Sequence, residues 1–512
     1  MKKQALISVS DKTGIVDFAK ELVQLGYNII STGGTAKSLR ENGIKVKLVS
    51  ELTGFPEILD GRVKTLHPII HAGILAKSED SHQEQLNNMH IDPIDLVVVN
   101  LYPFCETIAK SGVSLEEAIE NIDIGGPSML RGAAKNYERV AVIVNPERYS
   151  DILSEIRTTG NIDLKTRFQL ALETFTHTAE YDMAISTYLG TQSNTQDLPN
   201  VWFLSGHKKQ ELRYGENPHQ KAAFYVTQNR QNEGTLAQAK QLQGKELSYN
   251  NLVDLQSAWS VVREFDVAAA SVIKHTNPCG AALGTDILEA YIRAYSSDPT
   301  SAYGGIVGLN QIVDAKTARE ISKTFLEAVV APEFSPEALN ILSDKKNLRL
   351  MAMGTNTATN QEYWLEPVSG GFLIQEWDKL ELNTEDVQIV STKKPDEDML
   401  KELLFAWKIV KNVKSNAIVI TKDKRTLGVG AGQMNRVGAA RIALEQAGKH
   451  VRGSVMSSDA FLPFSDTVEL AAKQGIKAII QPGGSIRDED TIKKANEYGL
   501  IMVFTGMRHF KH

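Results

Sequence analysis

A chain of 512 residues is too long for one hydrophobic core and implies several domains, while 42% hydrophobic and 23% charged side chains are the proportions of an ordinary globular protein. A net charge of −6 argues against a general nucleic-acid binder, and two cysteines, Cys105 and Cys279, are too few for a disulfide framework. No stretch is long and apolar enough to span a membrane, and the apolar run from Ala5 to Val9 is too short for a secretion signal, so a reducing compartment, the cytoplasm, is expected.

In chain order, "ALISVS" (5–10) reads as a short strand. It is followed by a helix over 13–26, where Ile15, Phe18, Ala19, Leu22 and Leu25 share one face and Gly26 stops the pattern. "YNIIS" (27–31) and "KVKLVS" (45–50) are strands on either side of a helix at 35–43. Apolar strands recur at 95–102 and 139–145, and Ser114 with Glu117 forms a capping-box pattern. Strands alternating with short helices predict a doubly wound parallel sheet, an α/β fold. A long helical pattern covers 164–190, and the polar stretch 191–200 marks the domain boundary, giving units 1–199 and 200–512. The second unit is α/β too and carries a weak repeat. "AWSVVREF" (258–265), a strand and "KHTNPCGAALG" (274–284) parallel "AWKIVKNV" (406–413), a strand and "LGVGAGQ" (427–433). Each copy reads as a helix with Ala-Trp, a strand and a Gly-rich turn, which suggests duplicated subdomains.

Several segments carry candidate chemistry. "SVSDKTG" (8–14) and "STGGT" (31–35) each follow a strand and open a helix, where backbone N–H groups, hydroxyls and Lys12 suit a phosphate. Neither has the glycine spacing of a P-loop or a dinucleotide fingerprint. "GRVKTLHPIIHAGIL" (61–75) packs Arg62, Lys64, Thr65, His67 and His71 together. The two histidines are four apart, a spacing that could bind metal, but no third ligand is nearby and the cations repel one. An anionic substrate fits Arg62, Lys64 and Thr65 better. "NLYPF" (100–104) ends a strand with Asn100 and Tyr102, and "NIDIGGPSMLRGAAKN" (121–136) places Asp123 before a Gly-Gly turn and Lys135 late in a helix. Lysine, tyrosine and aspartate around one crevice could move protons and hold an oxyanion. "KHTNPCG" (274–280) sets Lys274 and His275 at a strand end, and an imidazole titrates near neutrality. Its Pro-Cys is half of a zinc-deaminase signature, but no second cysteine follows at the required spacing. "ELRYGENPHQ" (211–220) is unusually polar, and "SDAFLPFSD" (458–466) offers aromatics for stacking on a flat ring.

Taken together, "GRVKTLHPIIHAGIL", "NLYPF", "ELRYGENPHQ" and "IKHTNPCGAA" closely resemble the bifunctional purine-biosynthesis enzymes that join AICAR transformylase to IMP cyclohydrolase, over essentially the whole chain. The resemblance implies a methylglyoxal-synthase-like N-terminal domain and a C-terminal region of two cytidine-deaminase-like subdomains without zinc. It implies formyl transfer from 10-formyltetrahydrofolate to the 5-amine of AICAR, giving FAICAR, and then dehydrative ring closure to IMP. By resemblance, Lys274, His275 and Asn416 serve formyl transfer. Arg213 and Tyr214 contact nucleotide, Arg508 a phosphate, and Asn251 and Phe461 line the folate or substrate pocket. Lys64, Tyr102, Asp123 and Lys135 match the cyclising positions, with Arg62 and Thr65 nearby. Ser10, Lys12, Ser31, Gly33, Gly34 and Thr35 would hold the 5′-phosphate. A homodimer is implied, and no catalytic metal, nucleic acid or membrane partner. "KHTNPCG" departs from the vertebrate-like pattern, which carries small residues in place of Asn-Pro-Cys, and points to a bacterial-type member. The competing readings are a purine-nucleotide sensor built on the same N-terminal fold, or a chain that keeps one activity only.

Overall fold

The computed structural model describes residues 3–193, 198–227, 234–355 and 363–512. Its two compact units are Met1–Ser205 and Gly206–His512. Residues 194–197 of the expected linker lie outside the described residues.

In the first unit, Gln4–Val9 (β1), Asn28–Ser31 (β2), Val46–Leu48 (β3), Leu96–Asn100 (β4) and Ala141–Ile143 (β5) form a sheet in the order β3-β2-β1-β4-β5. Every neighbouring pair is parallel. Alternation sends Ala5, Ile7, Leu96 and Val98 into one core cluster and Leu6, Val97 and Val99 into another. Both faces are buried, which is why these strands read as continuous apolar runs. Strand order reverses between β1 and β4, and in such sheets a ligand crevice opens at that reversal, beyond the strand carboxyl ends. The third strand is shorter than its pattern. It stops at Leu48, whose N–H donates to the Glu51 carboxylate at 2.9 Å, and a short helix, Val49–Thr53, takes over. The long helix is Leu164–Gln192, started by Asp163, whose Oδ1 accepts from Thr166 N at 2.6 Å. At 114–117 the structure contains one bond of the capping box, from Glu117 N to Ser114 Oγ at 3.1 Å.

The second unit is organised around one mixed sheet of twelve strands. Its first half runs Lys240–Gln243, Arg349–Ala352, Ala328–Ala331, Ile306–Leu309, Ala269–Lys274, Asn277–Leu283. The sheet continues with Arg425–Gly430, Ile418–Lys422, Val455–Ser458, Ala478–Gln481, Ile501–Phe504 and Gln388–Ile389. Read outward from the central contact, where Ala282 pairs with Arg425, each half repeats the same senses: antiparallel, antiparallel, parallel, parallel, antiparallel. The helices Tyr249–Val262 and Glu397–Val410 precede matching strands, and their Trp259 and Trp407 are buried in one cluster. The duplication suggested by the Ala-Trp pattern is therefore a property of the topology.

One expectation about that repeat is corrected. The glycine-rich segments are strands, Asn277–Leu283 and Arg425–Gly430, and not turns. Their glycines serve close packing against the following helix. A Cβ at Gly280 would lie 2.0 Å from Ala294 O, and one at Gly428 would lie 2.0 Å from Ala443 O. Sequence alone does not separate a glycine needed for a turn from one needed for a neighbour's backbone. We expect Gly280→Ala and Gly428→Ala each to lower unfolding free energy by about 1–3 kcal/mol in denaturant titrations. Gly190→Ala, in a helix with nothing within 4 Å, should be neutral or raise it by about 0.4–1 kcal/mol.

Candidate functional sites

In the first unit a cavity of about 520 Å³ opens beside the carboxyl ends of β1 and β4. Two loops floor it. Ser10 and Lys12 come from the first, and Gly33, Gly34 and Thr35 from the start of the helix Gly33–Glu41. Asn100 at the end of β4 orders the first loop: its Oδ1 accepts from Ser10 N at 2.6 Å and Asp11 N at 3.0 Å. Thr35 is buried, its hydroxyl exchanging bonds with the Val9 N–H (3.1 Å) and carbonyl (2.9 Å), so the second loop is fastened to β1. The helix Gly33–Glu41 starts without a side-chain cap, leaving amide donors at its first turn for an anion.

The other walls carry Arg62, Lys64, Thr65, Tyr102 and Asp123. Lys64 Nζ lies 3.8 Å from where a Cβ on Gly33 would stand, so the amine overhangs the glycine loop. Arg62 pairs with Glu120 at the exposed rim. Cβ atoms at Gly125 and Gly126 would fall 2.6 Å from Thr65 Oγ1 and 2.4 Å from Asp123 Oδ2, which explains the Gly-Gly pair after Asp123. Asp123 Oδ1 accepts from Gly126 N at 2.8 Å. Burial holds the Asp123 carboxyl above its ordinary value, opposed by the Gly126 and Tyr102 amides and by the Lys64 charge. Two expected residues stand elsewhere. Ser31 is fully buried, its hydroxyl donating to Ile7 O at 2.6 Å. Lys135 ends the helix Gly125–Lys135 and is exposed, about 15 Å along the axis from the Gly125 end.

His67 is a helix cap: its Nδ1 accepts from Ile69 N at 3.2 Å at the head of Pro68–Leu75. His71 is half-buried, and burial lowers its pKa. Sequence reasoning missed Tyr181. Its Oη accepts from Asp123 N at 2.8 Å and donates to Asn121 O at 3.2 Å, holding the Asp123 loop from the long helix. In a helical pattern such a tyrosine is indistinguishable from a core residue.

The raised Asp123 pKa has a consequence for stability. The neutral acid is favoured by the fold, so ionisation costs stability above the folded pKa, and that cost is absent below the unfolded value near 3.8. Asp123→Asn should therefore raise the melting temperature at pH 7, and that gain should shrink as the pH falls toward about 4 and be absent below it.

In the second unit, Lys274 and His275 sit on the tight hairpin turn between Ala269–Lys274 and Asn277–Leu283. His275 (φ 50°) and Thr276 (φ 66°) both occupy the left-handed region, as a type I′ turn requires. The imidazole is exposed at the tip. Lys274 Nζ donates to Tyr303 O at 3.0 Å and Gly304 O at 3.2 Å, which fixes the ammonium. Asn277 Oδ1 accepts from Lys414 N at 3.0 Å, so this turn meets the segment that carries Asn416.

Asn416 is itself gripped. Arg436 donates to its Oδ1 at 2.6 Å, and its Nδ2 donates to Gln433 O at 2.7 Å. Arg436 forms a buried ion pair with Asp459, whose carboxylate also takes Ser415 Oγ and Ala417 N. Neither Arg436 nor Asp459 was singled out by sequence. Asp459 stands inside "SDAFLPFSD", next but one to the half-exposed Phe461, where only the aromatics drew attention. Arg508 lies on the C-terminal segment, its guanidinium 4.4 Å over the Phe510 ring. That segment is tied to the same place by Ser415 N to Lys511 O (2.9 Å) and His509 N to Asp459 O (3.1 Å). Asn251 is buried in a reciprocal cap with Ser248, both bonds 3.1 Å, and Arg213 stacks 5.5 Å from the Tyr214 ring in a loop that meets Asn250 through Glu216 O. Among the described residues, no three His, Cys, Asp or Glu side chains stand together so as to hold a metal ion.

The sequence matches two families: an MGS-like domain over residues 14–128 and the AICARFT/IMPCHase bienzyme over residues 133–446. Proteins named "Bifunctional purine biosynthesis protein PurH" from Bacillus cereus (strain AH820), Bacillus anthracis and Bacillus thuringiensis (strain Al Hakam) are each 55% identical to it, with all of both chains covered. A solved structure titled "Crystal structure of ForH" is 34% identical and covers 38% of this chain and all of its own, with a TM-score of 0.36. With the parallel sheet of the first unit and full-length likeness to these relatives, the chain belongs to the AICARFT/IMPCHase bienzyme family.

Proposed function

We propose that this protein, a formyltransferase and cyclohydrolase that converts AICAR to IMP, divides the two steps between its units, with ring closure in 1–199 and formyl transfer in 200–512. The observation that carries the division is the separation of two constellations. Lys64, Tyr102 and Asp123 wall one cavity in the first unit, and the turn of Lys274 and His275 meets the segment carrying Asn416 in the second.

For formyl transfer, the 5-amine of AICAR is conjugated into its ring and is a weak nucleophile, so a base is needed. His275, exposed at a turn tip, takes the amine proton as the nitrogen attacks the formyl carbon of 10-formyltetrahydrofolate. Lys274, fixed by two carbonyls, stabilises the developing oxyanion or helps protonate the leaving folate nitrogen. Asn416, immobilised by Arg436, orients substrate. Arg213 and Tyr214 contact the nucleotide and Arg508 its phosphate, while Asn251 and Phe461 line the pocket for nucleotide or folate. For ring closure, the carboxamide nitrogen of FAICAR attacks the formyl carbon and the adduct loses water. The raised Asp123 carboxyl is suited to carry a proton in both directions, with Lys64 and Tyr102 facing the same space. The 5′-phosphate lies on Ser10, Lys12, Gly33, Gly34 and Thr35. Ser31 supports that loop from beneath, while Lys135 stands outside the cavity at the far end of its helix.

We read the matching halves of the twelve-stranded sheet as cytidine-deaminase-like subdomains without zinc. We also read the chain as a homodimer. Phe168, Leu172 and Phe175 leave apolar surface on the long helix, of the kind a second copy covers. Folate enters as co-substrate, and no step calls for a metal.

Following both products in one assay tests the division. His275→Ala should lower formyl transfer by about 10²–10⁴-fold and still cyclise supplied FAICAR. Lys64→Ala should formylate normally and accumulate FAICAR. A His275→Ala protein that formylates at the parent rate would end this assignment.

A further inference from the structure

The two halves of the large sheet share more than strand order. In each, a tight turn joins the first two strands of the hairpin, and two non-glycine residues sit there at positive φ. These are His275 (50°) and Thr276 (66°) in one half, Asp423 (54°) and Lys424 (54°) in the other. In each, a carboxylate on the preceding helix, five residues before the buried tryptophan, reaches that turn. Asp254 stands so before Trp259, and Glu402 before Trp407. Thr276 N donates to Asp254 Oδ1 at 2.7 Å, and Lys424 N donates to Glu402 Oε2 at 2.7 Å. The clamp is thus duplicated with the fold, down to which turn residue donates.

The copies differ in what the turn displays. Glu402 spends its second oxygen on Thr421 Oγ1, at 2.6 Å. Asp254 lies against the His275 N–H as well; burial raises its pKa, opposed by the Thr276 and His275 amides and by the charges of His275 and Lys274. Left-handed backbone is an outlier for a β-branched residue such as Thr276, and it is the Thr276 N–H that the Asp254 carboxylate holds.

We propose that Asp254 is a positioning residue for formyl transfer: its carboxylate pins the Lys274–Asn277 turn and so sets where the His275 imidazole stands. The inference rests on the reading that His275 moves the amine proton.

The test uses the full-length protein with Asp254→Ala, Asp254→Asn, Glu402→Ala and His275→Ala. Formyl transfer is measured as kcat and as KM for AICAR, and cyclisation of supplied FAICAR is measured in the same preparations as an internal control on folding. Asp254→Ala should lower the formyl-transfer kcat by about 10–100-fold, with KM within about twofold and cyclisation unchanged. Asp254→Asn, which keeps an acceptor oxygen, should recover most of the loss, and it is the variant to read if the alanine form does not fold. Glu402→Ala, which cuts the same clamp in the other half, should leave formyl-transfer kcat within about twofold. The proposal is overturned if Asp254→Ala and Asp254→Asn keep the parent kcat while His275→Ala is inactive, or if Glu402→Ala costs as much as Asp254→Ala. Parent-like formylation by His275→Ala would instead remove the reading beneath it.

Discussion

The hydrogen bond from Lys414 N to Asn277 Oδ1 sets the Lys274–Asn277 turn of one half of the second unit against the segment that carries Asn416 in the other. Asn277 opens a strand of one half of the duplicated sheet, and Lys414 belongs to the loop that precedes a strand of the other. A backbone donor and a side-chain acceptor fix their distance without any freedom in the donor. Lys274, His275 and Asn416 all lie within three residues of one end of this bond. The bond works beside others between the halves, among them Arg293 to Asp423 O and Gln446 to Asp298.

The partner end is stiffened at higher cost. Arg436 and Asp459 are buried together, 7% and 0% exposed, and desolvating an ion pair is repaid only when its remaining hydrogen-bonding groups are satisfied. Here they are. Ser458 and Asn416 take guanidinium donors, while Ser415 and Ala417 donate to the carboxylate. The network is better understood as specifying one geometry for Asn416 than as a source of stability. In the first unit the same logic appears with one charge rather than two. Asp123 is kept buried by amide donors and by the Lys64 charge, and Tyr181 holds its loop through the backbone, so the carboxyl stays available.

How much of this was legible in sequence depends on the range of the interaction. The parallel sheet was readable because burying both faces writes continuous apolar runs into the chain, as in "DLVVVN". The two loops that floor the first unit's cavity were readable as strand-to-helix turns because glycine and hydroxyl residues there have a local cause. The turn carrying His275 was visible as a polar string after a buried strand, but its hairpin geometry was not, since nothing in "KHTN" carries the glycine or Asn-Gly signal of a type I′ turn. Asp254, Arg436, Asp459 and Tyr181 were invisible for a common reason. Each acts on a partner at least 20 residues away, and locally each looks like an ordinary helix or loop residue. Ser31 shows the reverse error: its local pattern matched the phosphate loop, while its side chain had turned under the sheet to Ile7 O.

The duplication also explains why the chemistry is lopsided. Two copies of one hairpin, each clamped by a helix carboxylate, give two equivalent turns, yet only one displays an imidazole beside a fixed ammonium. The other presents Asp423 and Lys424, and Asp423 O is occupied by Arg293 from the first half. The second half supplies instead Asn416 and its ion-pair support from the segment before its own first hairpin strand. A symmetric scaffold thus delivers an asymmetric set of groups, because a turn in one copy is set against a loop in the other.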